Sequence, residues 1–197
     1  MRKAYLFMMV SLDGFFEGPN HDLSWHNVDG EFNEYAIKQL DESGTLMLGR
    51  KTYELFAGFW HAALKDASTA EDDLVVARLL EAKEKIVFSR SLDRAGWNNT
   101  RLVKDDAYGE VARMKRQPGG DIAIFGSNNL CVNLMQKGLV DEFRIMVNPV
   151  VIGKGTPLFT GLGETFGLKL AKTKEFKSGN VLLYYQPAKK KNAKAMK

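Results

Sequence analysis

The sequence predicts an α/β fold: a mixed, mostly parallel sheet flanked by helices and ended by a C-terminal antiparallel β-hairpin. Three observations carry this expectation. Short, continuous apolar runs recur at residues 4–10, 46–48, 85–88 and 121–125, as expected of strands covered on both faces. Between them lie segments with helical apolar spacing, such as Phe32, Tyr35, Ile37 and Leu40. Near the end, strand-like runs over 167–176 and 181–186 are separated only by Lys177, Ser178, Gly179 and Asn180, the composition of a hairpin turn.

The run over 4–10 is the first central strand, closed by Ser11, Leu12, Asp13 and Gly14. Asp13 stands at its carboxyl end, the edge where ligands bind in open α/β sheets; as an Asx residue it also suits a turn. Residues 15–29 form a long polar loop with Trp25 as a large apolar anchor, and loops of this length inside a domain are often functional. The amphipathic helix that follows has Asp29, Glu31 and Glu34 in or near its first turn. The helix dipole accounts for acids there, and Glu31 is also placed to hold a polar heterocycle.

Leu46-Met47-Leu48 then stops at Gly49, and Arg50, Lys51 and Thr52 open a second helix that ends near Gly58. Amide groups at a helix start, two cations and a hydroxyl make a place for phosphate; they also make an ordinary strand-to-helix turn with a Thr cap. Residues 59–71 read as a surface excursion before a helix over 72–83. The strand at 85–88 is followed by Ser89, Arg90 and Ser91, a second cluster of hydroxyls and a cation. A weak strand at 101–103 leads to a helix over 108–116, ended by Pro118, Gly119 and Gly120.

The strand at 121–125 runs into Gly126, Ser127, Asn128 and Asn129, ahead of a helix over 130–137. Gly126 allows close backbone approach to a pyrophosphate, and Ser127 and Asn128 suit a helix cap with or without a ligand. Residues 141–147 alternate as a half-covered strand, and Gly153 and Gly155 around Lys154 form a tight loop whose backbone can line a ligand. Three strand-to-helix turns thus carry hydroxyls, cations or glycines, and in a parallel sheet they emerge along one edge.

A chain of 197 residues with 45% hydrophobic and 26% charged residues fits one soluble domain. The formal charge of +4 is local: five of the 28 cations lie after Pro187, which leaves 23 cations against 24 acids, a net of −1. The tail over 188–197 therefore reads as a lysine-rich, disordered end. Nucleic-acid binding is the weaker reading, since no aromatic residues are interleaved for stacking. Cys131 is the one cysteine and sits in an expected helix, where a buried hydrophobe is its default role. No metal-ligand spacing, signal peptide, membrane span, Walker motif or GxGxxG is present, so a cytoplasmic protein without a metal is expected.

Four stretches together carry a family resemblance: Ser11-Leu12-Asp13-Gly14; Leu48-Gly49-Arg50-Lys51-Thr52-Tyr53; Phe125-Gly126-Ser127; and Asn148 through Gly155 with Pro157-Leu158-Phe159. In order and spacing the chain resembles the dihydrofolate reductase-like superfamily, in particular the stand-alone proteins similar to the reductase domain of the riboflavin-biosynthesis deaminase-reductase. The resemblance implies a three-layer α/β/α fold over a single domain, residues 1–187, that binds NADPH and forms a homodimer. It assigns Gly49, Arg50, Lys51 and Thr52 to the cofactor phosphates, Ser89, Arg90 and Ser91 to the region of the adenosine 2′-phosphate, and Gly126, Ser127, Asn128 and Asn129 to the pyrophosphate. On the substrate side, Asp13 and Glu31 are expected to orient substrate or relay a proton, with Phe16, Trp25 and Gly153 beside them. The function expected is hydride transfer from NADPH to a small polar heterocycle, pteridine- or folate-like or aminopyrimidine-ribityl-like. The alternative is a nucleotide-binding protein of the same fold without turnover.

Overall fold

The structure, a computed structural model, describes residues 1–188. Apart from Ala188, the lysine-rich tail expected over 188–197 lies outside the described residues. The elements run β1 (Ala4–Ser11), β2 (Phe15–Glu17), α1 (Gly30–Glu42), β3 (Ser43–Gly49), α2 (Arg50–Ala63), α3 (Glu71–Ala82), β4 (Glu84–Phe88) and β5 (Thr100–Val103). They continue with α4 (Ala107–Arg116), β6 (Asp121–Phe125), α5 (Asn128–Gln136), β7 (Glu142–Asn148), β8 (Thr156–Pro157), β9 (Leu168–Glu175) and β10 (Val181–Pro187).

Eight strands form one sheet in the order β5-β4-β3-β6-β1-β7-β10-β9. The first six in that order are mutually parallel, and β10 returns antiparallel to β7 and pairs with β9 as the terminal hairpin. Every residue of β1 is buried, because both faces of the sheet are covered. Its alternate side chains feed two cores. Leu6, Met8 and Val10 pack with Val111 and Met114 of α4 and Leu134 of α5, while Tyr5, Phe7 and Met9 pack with Leu40 of α1, Tyr53 of α2 and Leu80 of α3. The result is the three-layer α/β/α arrangement.

Four local expectations are corrected. α2 does not end near Gly58 but runs to Ala63, since Phe56 and Trp60 on either side of that glycine pack against the sheet-side core and outweigh a propensity loss of about 1 kcal/mol. The chain after Phe88 enters an irregular segment leading to β5, so only two of the three turns are strand-to-helix turns. β7 is covered on both faces: Phe143 and Met146 lie in opposite cores, and the Arg144 guanidinium sits 3.7 Å from the Tyr5 ring centre. Finally, β2 and β8 pair as a separate two-stranded sheet that the sequence did not announce.

Lys85 is a fully buried cation on β4. Its ammonium donates to the carbonyls of Leu80, Glu81 and Lys83 at 2.6, 3.2 and 2.9 Å and lies 4.5 Å from the Trp97 ring centre. A cation there satisfies the last carbonyls of α3 and complements its dipole. Lys85→Met is expected to lower unfolding free energy by about 2 kcal/mol, read from the urea midpoint, because three acceptors lose their donor.

Candidate active site

The carboxyl ends of β4, β3, β6 and β1 lie side by side along one edge of the sheet. Two turns on this edge, β3–α2 and β6–α5, are packed against each other. A Cβ on Gly49 would stand 2.6 Å from Ser127 Oγ, and one on Gly126 would stand 2.6 Å from Thr52 Oγ1. Each turn therefore needs a glycine where the other presents a hydroxyl. Gly126 has φ +59°, a conformation that side chains disfavour, and its peptide bond to Ser127 is cis.

The helix starts here differ from the others. Gly49 and Ser127 occupy the N-cap positions of α2 and α5 without a side-chain cap bond, and neither helix has an acid in its first turn. Thr52 and Ser127 thus do not act as the expected caps, and Asn128 Oδ1 accepts from the Asn129 N–H. By contrast, Asp29 and Asp106 cap α1 and α4, and α3 opens with Glu71, Asp72 and Asp73. The two starts at the shared edge are the ones whose amides and positive dipole ends are left for an anion.

They open onto a cavity of about 1230 Å³ between α1 and α2. That exceeds the roughly 300–1,000 Å³ of a single small-molecule site. Arg50, Lys51, Thr52 and all of Gly126, Ser127, Asn128 and Asn129 line it, and the walls further in are apolar, with Phe16, Phe32, Phe56 and Phe125 among them. Arg50 is paired with Glu54 at 3.0 Å. Lys51 Nζ lies 3.4 Å from His21 Nε2, His21 Nδ1 lies 2.8 Å from Glu17 Oε2, and Glu17 Oε1 accepts from Thr156 Oγ1 at 2.7 Å. This chain of contacts ties β2 and β8 to the start of α2.

Glu17, His21 and His26 line the cavity and were not singled out from the sequence. The only signal for them was their place in the long loop after β1. Burial pushes the His26 imidazole down to about 4, although a hydrogen bond from the ring to Phe16 and the nearby Asp22 oppose the shift. Its Nε2 is buried with no hydrogen-bond partner among the described residues. Cys131 is also buried, which pushes its thiol up and away from reactivity.

The remaining expected residues lie off the cavity wall. Asp13 accepts from the Ile152 and Gly153 N–H groups at 3.2 and 2.8 Å, so it pins the loop that contains Gly153. Hydrogen bonds from Ser11 and from those amides hold its carboxyl below the usual carboxylate range. Glu31 accepts from the Lys177 N–H at 2.9 Å and faces Lys174 at 3.4 Å, which ties α1 to the β9–β10 turn and lowers its carboxyl in the same way. Trp25 donates from Nε1 to the Asp22 carbonyl and stands edge-on to His26, with ring centres 4.5 Å apart. Ser89 Oγ accepts from the Ser91 and Leu92 N–H groups, and Arg90 is exposed with no ion pair among the described residues. No helix among the described residues is long and apolar enough to cross a membrane.

Comparison with known proteins agrees with this geometry. The chain is 33% identical over 186 residues to the uncharacterized protein YyaP of Bacillus subtilis (strain 168), covering 93% of this chain and 94% of that one. A putative riboflavin biosynthesis protein from Shewanella sp. PV-4 superposes with TM-score 0.71 at 20% identity, covering 95% and 99% of the two chains. A dihydrofolate reductase from Enterococcus faecalis, solved with NADP(H), superposes with TM-score 0.60 at 13% identity over 95% and 97%. The fold is thus of the reductase type. Residues 2–182 match the family described as the RibD C-terminal domain, and the chain belongs to that family.

Proposed function

We propose that this protein is an NADPH-dependent reductase of a small polar heterocycle, with the shared sheet edge as cofactor site and the α1–α2 cavity as substrate site. The observation that carries the reading is the pair of packed, glycine-requiring turns whose uncapped helix starts open on that cavity. The residues present suit the cofactor. First-turn amides of α2 and α5 and the hydroxyls of Thr52 and Ser127 offer donors to its phosphates, and Arg90 offers a free guanidinium to a 2′-phosphate. Bound NADPH supplies the hydride. The protein's own work is to hold both partners in register and to exclude water with Phe16, Phe56 and Phe125. Glu31 acts one contact away, by fixing the start of α1, whose Phe32 and Asn33 line the substrate site, and Asp13 fixes the 152–153 loop.

Titration of NADPH against the full chain tests the reading; no binding at near-millimolar cofactor overturns it. Arg90→Ala is expected to weaken NADPH about tenfold or more and NADH by less than about twofold, since a charge-assisted bond to phosphate contributes roughly 1.5–3 kcal/mol. Equal loss for both cofactors removes Arg90 from the phosphate site. Loss of NADPH absorbance across pterins and aminopyrimidines then separates an enzyme from a nucleotide-binding protein.

A further inference from the structure

The cavity is polarised along its length. Among the described residues, the only lysine and arginine side chains that line it are Lys51 and Arg50, both in the first turn of α2, and they are already engaged with His21 and Glu54 respectively. Ten residues further along the same helix, about 15 Å away at the usual rise, the lining consists of aromatic and aliphatic groups. Phe59 is 59% exposed there, Trp60 stands edge-on to it with ring centres 4.8 Å apart, and Leu55, one turn nearer to Lys51, is 51% exposed. Thr69 Oγ1 donates to the Ala63 carbonyl at 3.0 Å, which holds the start of α3 beside the last turn of α2, and Asp73 from that first turn of α3 lines the cavity. Asp73 has no ion-pair partner among the described residues.

The polar side chains that α1 contributes to the lining, Asn33 and Gln39, are neutral. Gln39 is committed, its Oε1 accepting from the Tyr35 hydroxyl at 2.7 Å and from Arg144 Nη1 at 3.2 Å. Asn33, one turn into α1, lines the cavity and its side-chain amide makes no hydrogen bond among the described residues. An amide offers one donor face and one acceptor face, which matches the N–H and C=O edge of an uncharged lactam.

From this polarity we infer that the substrate is an uncharged, aromatic-tailed heterocycle: Asn33 orients its lactam edge, Leu55, Phe59 and Trp60 hold its tail, and Asp73 discriminates against an anionic tail. The inference rests on the reductase reading and narrows its substrate class, away from compounds that carry a phosphate or carboxylates on the tail. A negative group brought to the Phe59–Trp60 end finds, among the described residues that line the cavity, no lysine or arginine at that end and one carboxylate, Asp73, to repel it.

Folic acid and its dimethyl ester make a matched pair of probes, identical except for the two tail carboxylates. Each is titrated against the full chain by tryptophan quenching, with and without NADPH. The diester is expected to bind about tenfold more tightly, and Asp73→Asn to narrow the gap to about threefold. Asn33→Leu is expected to weaken both probes alike while NADPH binding stays unchanged. Equal affinities, tighter binding of the dicarboxylate, or binding of neither probe overturns the inference. A gap that survives Asp73→Asn and Asp73→Lys unchanged overturns the role of Asp73. Failure of NADPH to bind is read separately in the same titrations and counts against the reductase reading alone.

Discussion

Gly126→Ala is expected to reduce NADPH affinity by at least about tenfold and unfolding free energy by about 2–3 kcal/mol, the larger part from backbone strain. At φ +59° an alanine is held in the left-handed region, and its Cβ stands 2.6 Å from Thr52 Oγ1. Relief requires the β6–α5 turn or the first turn of α2 to move, and both supply amides to the proposed phosphate site. Gly58→Ala is the contrasting substitution. Gly58 lies inside α2 with nothing within 4 Å of a new Cβ, so alanine there is expected to stabilise by about 0.5–1 kcal/mol without touching affinity. Adding Thr52→Ala to Gly126→Ala removes the clash and leaves the φ strain, so affinity should recover in part while stability stays low. Urea denaturation and NADPH titration of the wild type and the three variants decide this, and wild-type affinity in Gly126→Ala ends the phosphate assignment of the paired turns.

The second large effect is a loss of stability in mild acid centred on His26. Burial holds its imidazole neutral, at about 4 against an ordinary 6.5. Below the unfolded value the unfolded chain takes up a proton that the folded chain refuses, so stability falls as pH drops from 6.5 and the loss is complete near 4. A shift of this size corresponds to about 3 kcal/mol. Protonation also places a second N–H on an Nε2 that is buried without a partner. His26→Phe is expected to flatten the urea midpoint between pH 6.5 and 4.5 even where its stability at pH 7 is lower. The carboxyls of Asp13 and Glu31, held below their ordinary range, act in more acidic solution and do not blur this window. A wild-type midpoint that does not move between pH 7 and 4.5 refutes the account.

How far the molecule was legible depended on the range of the interactions that set each part. β1 and β6 announced themselves as unbroken apolar runs, because a strand covered on both faces has no polar side to alternate. The glycines at 49 and 126 were visible as breaks after such runs, and their assignment to one edge followed from parallel pairing alone. Their mutual contact was not visible, since nothing local in either turn says that Thr52 faces Gly126. Asp13 and Glu31 stood out as acids at promising ends of elements, yet their partners are 140 and 146 residues further along the chain. The three-residue β2 is defined only by β8, and Glu17 and His21 join the cavity through that pairing. α2 was drawn too short because an isolated glycine weighs heavily in propensity and lightly against aromatic side chains packed on the core.

The place of β6 in the sheet has a consequence for assembly. β3 and β1 never bond each other directly; β6, made some seventy residues after β3 ends, is inserted between them. Until residue 125 is in place the two halves of the sheet face each other with unpaired edges, an arrangement open to wrong pairings. The same insertion brings Ser127 to Gly49 and Gly126 to Thr52. The paired turns are therefore completed only when the sheet is, and an anion held there closes the seam between segments far apart in the chain.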